Sequence, residues 1–190
     1  DQVCTWAYKK HEESGRVVIT GSHPEGVTEG ERLELMAAMM QYAMDGNGIE
    51  KIKGELVPGE LREMKKSTAD SDPLYTKIGD LQYHHFKVNV PANAKKMVIS
   101  LNGYDRYEDF DLSLCAKAGE FAFHHNTNIQ NVSQGCGKYL VTDAPQVGDW
   151  YISVRCENTV ETRHGQYGTE YVKGKEVLNG VPYSIKVELE

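Results

Sequence analysis

The chain has 190 residues, of which 39% are hydrophobic and 26% charged, so a packed core is expected and global disorder is excluded. Its 28 Asp and Glu outnumber its 21 Lys and Arg, and the net charge of −7 argues against a nucleic-acid-binding face. No apolar run approaches the roughly 18 residues of a membrane span, and a predicted strand rather than a signal peptide opens the chain. We therefore expect no nucleic acid, no membrane span and a longer parent protein.

The first 46 residues predict two strands followed by a helix. Residues 3–8 are rich in β-forming side chains, and the apolar run at 16–20 is typical of a buried strand in an α/β sheet. Thr28 and Glu31 match a helix capping box, and apolar side chains then recur at helical spacing. The pattern indicates a β-β-α fragment of an α/β, flavodoxin-like domain.

Glycine, proline and charged side chains dominate residues 47–70, and a small polar stretch closes this segment. Such a composition is typical of a connection. We therefore predict a linker over 47–70 that separates a first domain, 1–46, from a second domain, 71–190.

The second domain changes to a period of two, in which apolar and polar side chains alternate. This pattern predicts strands exposed on one face. Because the segments are separated by turns and not by helices, we predict a mainly β fold, an antiparallel β-sandwich. The alternating segments are 86–90, 97–101, 110–114, 138–142, 150–156 and 183–189.

Four short motifs in this half resemble one known module. They are Val-Pro-Ala at 90–92, Lys-Met-Val-Ile-Ser-Leu at 96–101, Asp-Phe-Asp-Leu-Ser-Leu at 109–114 and Gly-Asp-Trp-Tyr-Ile-Ser-Val at 148–154. Their order is similar to that in the bacterial pre-peptidase C-terminal (PPC) domain, a jelly-roll-like sandwich appended to secreted hydrolases. The resemblance implies an extracellular, periplasmic or cell-surface location, and a polysaccharide or a protein polymer as partner.

The same resemblance implies a calcium site, because some relatives hold Ca²⁺ with carboxylates near the start of the first strand. Here the carboxylates near that strand are Asp70, Asp72 and Asp80. Oxygen ligands of this kind suit Ca²⁺. Solvated loop carboxylates are the alternative, and no cofactor is expected to be required.

The sequence Gly-Arg-Val-Val-Ile-Thr-Gly-Ser-His-Pro-Glu at 15–25 resembles the last catalytic strand and loop of class I glutamine-amidotransferase-like domains. The nearest group is related to the N-terminal part of bacterial biotin–protein ligases. The resemblance implies that His23 is a general base oriented by Glu25. The cysteine elbow of such sites is absent, so the nucleophile has to come from outside this chain, from the missing N-terminal part of the parent. A structural turn is the alternative.

Further candidates lie in the β half. Tyr104 and Tyr107 occupy a polar loop and are predicted to make exposed binding contacts. The histidine pairs at 84–85 and 124–125 attract attention, but neighbours on a strand point to opposite faces. Neither pair is therefore expected to supply two ligands to one metal.

The four cysteines form no Cys-x-x-Cys pair, which argues against a zinc site. If residues 137–155 fold as a hairpin about Gln146, Leu140 faces Ile152 and Cys136 faces Cys156. If the two strands lie in opposite sheets, both cysteines still end at one edge of the sandwich. We predict a disulfide between Cys136 and Cys156, with four thiols in a reduced protein as the alternative.

Two functional hypotheses follow. In the first, the chain is the C-terminal part of a secreted, multidomain amidotransferase-like hydrolase, with the sandwich as an accessory module that is not catalytic by itself. In the second, the chain is a non-catalytic binding protein or a surface-assembly protein that forms filaments through its edge strands.

Overall fold

The computed structural model divides the chain into two compact units, residues 1–51 with 163–170 and residues 52–162 with 171–190. No helix among the described residues is long and apolar enough to cross a membrane. The residues His23, Glu25 and Asp70, for which the sequence predicts roles, lie outside the described residues. The described residues are 5–9, 16–21, 35–36, 38–40, 42–43, 52–67, 72–104, 107, 109–166 and 168–190.

The first unit contains an antiparallel hairpin of β1 (Thr5–Lys9) and β2 (Arg16–Thr20). The described residues between 35 and 43 are helical, so both predicted strands and the predicted helix are confirmed there. The expected burial of the second strand is wrong, because Val17 and Ile19 are 49% and 45% exposed. A two-stranded antiparallel sheet leaves one face open, unlike a central strand of an α/β sheet.

The described residues of the second unit form two sheets that pack face to face. The strand pairs are antiparallel except that of β3 (Ile52–Glu55) with β5 (Tyr83–Val90), which is parallel. The first sheet has the order β3 (Ile52–Glu55), β5 (Tyr83–Val90), β10 (Gly148–Cys156), β7 (Leu112–Ala118) and β8 (Ile129–Asn131). The second has the order β4 (Leu61–Met64), β13 (Tyr183–Leu189), β6 (Lys96–Gly103) and β9 (Lys138–Asp143).

The remaining described elements are short. They are a two-stranded sheet of β11 (Glu161–Gly165) and β12 (Gly168–Lys173), and 3-10 helices at Pro73–Tyr75 and Lys175–Asn179.

The core lies between the two large sheets, and alternate side chains of each strand point into it. Phe86, Leu114 and Ile152 come from one sheet, and Ile99 and Ile185 come from the other; all five are fully buried. Each such side chain stabilises the fold by about 1.5–3 kcal/mol. The predicted antiparallel β-sandwich is therefore confirmed, together with its six predicted strands.

The structure has strands where the linker was predicted. Within 47–70, β3 and β4 each join an edge of a large sheet, so the second unit begins at Ile52. The Arg62 guanidinium connects them, because it donates to the carbonyl oxygens of Lys53 and of Leu74, the latter at 2.9 Å, and stacks on Tyr75. Edge strands with this many polar residues carry little periodicity, which is why the sequence pattern missed them.

Of the two arrangements considered for β9 and β10, the hairpin is wrong and the placement in opposite sheets is confirmed. β9 pairs with β6, which places Leu140 opposite Ile99, whereas β10 lies between β5 and β7 in the other sheet. The connection at 144–147 therefore crosses from one sheet to the other. Because both sheets draw apolar residues from every strand, alternation alone does not distinguish a hairpin from a crossover.

The predicted disulfide between Cys136 and Cys156 is also not present. The Cys136 Sγ lies 3.0 Å from the carbonyl oxygens of Tyr107 and Phe110, and the Cys156 Sγ lies 3.7 Å from that of Asn158. Burial raises the pKa of the Cys156 thiol to about 11. Each sulfur thus donates to backbone carbonyl oxygens.

The thiol assignment predicts a specific labelling pattern. After unfolding without reductant, peptide mapping should find Cys115, Cys136 and Cys156 all alkylated. In the native protein near pH 8, Cys156 should react on the order of 10²-fold more slowly than an ordinary thiol, because so little thiolate is present. A peptide that links Cys136 to Cys156 would contradict the assignment.

A second prediction concerns the end of β6. A Cβ added at Gly103 would overlap the Cβ of Cys136, so Gly103→Ala should lower the free energy of unfolding by about 1–3 kcal/mol. The matched control is Gly137→Ala, because a Cβ there meets no atom within 4 Å. Urea unfolding of both variants measures the difference. Equal stabilities would show that the chain does not approach itself at Gly103.

Candidate functional site

The outer face of the five-stranded sheet is covered by part of its own chain. The segment 119–128, which connects β7 to β8, crosses this face and places the rings of Phe121 and Phe123 within 5.0 and 5.2 Å of the His85 ring. His85 is 1% exposed, and its Nδ1 lies 2.7 Å from Ser153 Oγ on the neighbouring strand β10. A small second layer of aromatic and polar side chains is thus buried outside the main core.

The neighbouring histidine faces the other way. His84 Nδ1 lies 2.8 Å from the Tyr183 hydroxyl of the opposite sheet, so the two histidines point to opposite faces, as predicted. Burial, with smaller contributions from the charges of Lys53 and His85, holds the pKa of His84 well below its usual value of 6.5. Within the described ranges, no three His, Cys, Asp or Glu side chains are grouped to hold a metal ion.

Three polar side chains converge beside the covered layer. His124 comes from segment 119–128, Ser113 from β7, and Glu157 directly follows β10. Ser113 Oγ donates to Glu157 Oε1 at 2.5 Å and lies 2.7 Å from His124 Nε2, which is 3.0 Å from the same carboxylate oxygen. The second Glu157 oxygen accepts from Arg155.

The Glu157 carboxylate is held in its ionised form. Burial alone would raise the pKa of Glu157, but hydrogen bonds from His124 and Ser113 and the charge of Arg155 outweigh it and keep the pKa below its ordinary value. Because the Ser113 proton is directed at Glu157, a proton on His124 Nε2 is shared between Ser113 Oγ and Glu157 Oε1, so that the carboxylate accepts from both residues.

This arrangement differs from a catalytic triad. In a triad the acid and the serine occupy opposite nitrogens of the imidazole, whereas here both contact Nε2. Ser113 is also only 1% exposed, so its oxygen is not accessible to a substrate. The network of Ser113, His124 and Glu157 is therefore a rigid support and not a nucleophilic centre.

Two members of the network, His124 and Glu157, line a cleft of about 410 Å³. This volume lies within the range of small-molecule sites. The lining combines carboxylates, amides, a hydroxyl and an imidazole, with a single apolar side chain and no Lys or Arg. The lining residues are Asp111, His124, Gln130, Val132, Ser133, Gln134 and Glu157.

One wall of the cleft is the loop 133–137, which a buried ammonium holds from below. Lys138 Nζ donates to the carbonyl oxygens of Gln134 at 3.3 Å, of Gly137 at 3.4 Å, and of Gly135. Burial lowers the pKa of Lys138, although the charges of Cys136, Asp111 and Glu157 act against this shift. Gly135 has a φ of +87°, which favours glycine at this turn.

Asp111 also holds the loop 133–137. Its Oδ1 accepts from the Gly135 amide at 2.5 Å, and its own amide donates to Asn158 Oδ1 at 2.6 Å. The Glu157 amide donates to the Asp111 carbonyl at 2.9 Å. The loop 133–137 and the Glu157 carboxylate are therefore both hydrogen-bonded to the rest of the sandwich.

The predicted binding residues lie elsewhere. The Tyr104 hydroxyl donates to Glu63 Oε1 at 2.9 Å, and the Tyr107 ring packs against the core, 5.9 Å from the ring of Phe110. Neither tyrosine lines the cleft. Their loop is polar in sequence, but one ring faces the apolar interior and the other is held by a carboxylate.

Of the predicted calcium ligands, Asp72 has partners of its own in the structure. Asp72 accepts from the Leu74 amide at 3.3 Å, which caps the helix Pro73–Tyr75, and pairs with Lys66 at 3.2 Å. Asp70 lies outside the described residues, so the set of Asp70, Asp72 and Asp80 stays a prediction. The same holds for the catalytic roles of His23 and Glu25.

The cleft residues themselves were not predicted as a site. Only the histidine pair at 124–125 drew attention in the sequence. The residues meet because β7 lies between β10 and β8, which brings positions 111, 130 and 157 to one end of the sheet. Their spacing along the chain carries no signal of this order.

No protein-family model and no curated protein matches the chain. The chain is similar to the pre-peptidase C-terminal domain of a collagenase from Bacillus anthracis, with 12% identity and a TM-score of 0.41 over 74% of this chain and 99% of that one. It is also similar to Aeromonas hydrophila PliG, a periplasmic lysozyme inhibitor of g-type lysozyme, with 14% identity and a TM-score of 0.42 over 75% of this chain and 100% of that one. Neither is amidotransferase-like, and scores below 0.5 carry no conclusion about ligand or activity.

The buried His84 predicts acid sensitivity. Since its folded pKa lies below 6.5, the unfolded state binds a proton that the folded state excludes. Stability should therefore fall as the pH drops below about 6.5, by up to about 1.4 kcal/mol per pH unit. Glutamine at position 84 does not titrate. The difference in free energy of unfolding between wild type and His84→Gln, measured with urea, should therefore narrow as the pH falls from about 7.5 to about 5. A constant gap would contradict this prediction.

Proposed function

We propose that the β-sandwich is a non-catalytic binding module whose ligand site is the cleft above Ser113, His124 and Glu157. The observation that carries this proposal is a cleft of about 410 Å³ lined by six polar residues and one valine, beside a serine that is buried. Such a site offers hydrogen bonds to a ligand, whereas the hydroxyl of Ser113 is not accessible to one.

Preorganisation supports binding. A ligand loses affinity when side chains and loops must be ordered on association. Here Lys138 and Asp111 already hold the loop 133–137, and Arg155 already holds the Glu157 carboxylate. Ligand binding therefore loses little free energy to the ordering of these groups, which is expected of a recognition site.

The wider role of the parent protein remains part of the proposal. An accessory module of an exported hydrolase fits a non-catalytic sandwich, and the export itself stays a prediction. The amidotransferase-like chemistry of His23 and Glu25 would belong to the first unit and a nucleophile outside this chain. The binding role proposed for the cleft does not depend on it.

The cleft predicts where small polar molecules bind. In ¹H–¹⁵N NMR titrations with neutral saccharides, uncharged peptides and free amino acids, shifts should cluster at the amides of Ser133, Gly135 and Glu157. Hydrolysis of p-nitrophenyl acetate should be the same for wild type and Ser113→Ala, because the serine is inaccessible. Shifts confined to other surfaces, or ester hydrolysis lost with Ser113, would contradict the proposed function.

A further inference from the structure

We infer that the edge strands β3 and β4 form an acid-sensitive lid on the sandwich, which opens when His84 takes up a proton. The lid is the segment 52–64, and it opens while the rest of the sandwich stays folded. Such an opening is independent of the cleft, and it adds a pH-dependent conformational change to the proposed binding function.

The proton acceptor of this device, His84, lies directly behind the lid. His84 belongs to β5, the strand next to β3, and Tyr183 belongs to β13, the strand next to β4. The hydrogen bond of 2.8 Å between His84 Nδ1 and the Tyr183 hydroxyl therefore joins the two strands that the lid covers, one from each sheet. Both residues are buried. Detachment of β3 and β4 opens the edge of the sandwich next to this pair and admits water to it.

The lid contributes little to the core. Within 52–64 only Leu56 and Met64 are buried, and the remaining residues are exposed or half-buried. The pairing of β3 with β5 is also irregular, because its register shifts between Ile52 and Glu55. Segments with few buried apolar side chains detach at a lower free energy than the core does. The lid can therefore open without unfolding the two sheets.

The charged groups that act on His84 come mainly from the lid, and they are positive. The Lys53 ammonium on β3 acts on His84, and the Arg62 guanidinium on β4 acts on Lys53. On the other side of β5, the residue opposite His84 is the uncharged Val154 of β10. His85 also acts on His84, although its ring points to the outer face of the sheet. A proton on His84 therefore adds a third positive charge close to two that belong to the lid.

The same two lid side chains hold the lid in place. Lys53 Nζ donates to the Pro73 carbonyl oxygen at 2.8 Å, and Arg62 donates to the Leu74 carbonyl oxygen at 2.9 Å. Both carbonyl groups belong to the short helix that follows the lid. Repulsion by a protonated His84 therefore acts on the groups that attach the lid, and opening relieves it because water then hydrates the imidazolium.

The direction of the pH dependence follows from burial. In the closed state, burial and the Lys53 charge hold the pKa of His84 well below its usual value of 6.5. In the open state the imidazole is hydrated, so its pKa returns to about 6.5. The open state therefore binds a proton that the closed state excludes, and the open fraction rises as the pH falls below about 6.5. Between about pH 7.5 and about pH 5 the opening equilibrium should shift by about 10- to 30-fold.

The test is amide hydrogen exchange measured by NMR at about pH 7.5 and about pH 5, with the intrinsic rate at each pH divided out. Two amides report on the lid, because the Leu56 amide donates to the Lys87 carbonyl oxygen at 2.7 Å and the Gly59 amide to the Val187 carbonyl oxygen at 2.8 Å. Their protection factors should fall by about 10- to 30-fold at the lower pH. Low urea should leave these two rates nearly unchanged but accelerate exchange of the Ile152 amide in β10, because local opening exposes less surface than global unfolding.

Two variants assign the proton to His84. In His84→Gln the protection factors of the lid amides should no longer depend on pH, because glutamine does not titrate. The matched control is His85→Gln, at a buried histidine that lies beneath the segment 119–128 and not behind the lid, and it should keep the pH dependence of the wild type. The wild-type measurement decides the proposal by itself if either variant fails to fold.

Three results would overturn the proposed lid. The first is protection of the Leu56 and Gly59 amides that does not change with pH. The second is the same protection factor and the same urea dependence for these amides and for Ile152, because 52–64 would then detach only when the whole sandwich unfolds. The third is an equal loss of pH dependence in His84→Gln and His85→Gln.

Discussion

The ionised carboxylate of Glu157 is the group around which the described end of the sandwich is organised. It accepts from Ser113, His124 and Arg155, which belong to β7, to the covering segment 119–128 and to β10. A half-buried charge is tolerated only when it is paired and hydrogen-bonded, so these three partners have to be held in place together. The position of the segment 119–128, and with it the floor of the cleft, follows from this requirement.

The two faces of the five-stranded sheet differ in chemistry, and both are covered by other parts of the chain. The inner face carries Phe86, Ile152 and their neighbours into the main core. The outer face carries polar side chains such as His85. The segment 119–128 covers this face with two phenylalanine rings and buries His85. The covering segment connects β7 to β8 and contributes His124 to the cleft.

Arg62 and Lys138 act mainly as hydrogen-bond donors that link backbone carbonyl groups, and less as surface charges. Arg62 joins the carbonyl groups of two edge segments, and Lys138 joins three carbonyl groups of the loop 133–137. Carbonyl oxygens are strong acceptors that a loop leaves unused, and an ammonium or guanidinium satisfies several at once. A sandwich with few regular elements at its ends is stabilised in this way without a disulfide between Cys136 and Cys156. The loop 133–137, which lines the cleft, is held in this way, and a loop that is already held favours ligand recognition.

The sequence by itself determined the mainly β character of the second unit and the position of six strands, because alternation such as Phe86, Val88 and Val90 encodes which face of a strand is buried. It also determined that His84 and His85 point apart. Sheet order, however, depends on contacts between distant segments, and every strand offers the same alternation to any partner. Only the tertiary structure therefore decided that β9 pairs with β6 and not β10, that residues 52–64 add two edge strands, and that Asp111, His124 and Glu157 meet. The cleft depends on that strand order, and the local sequence pattern does not encode it.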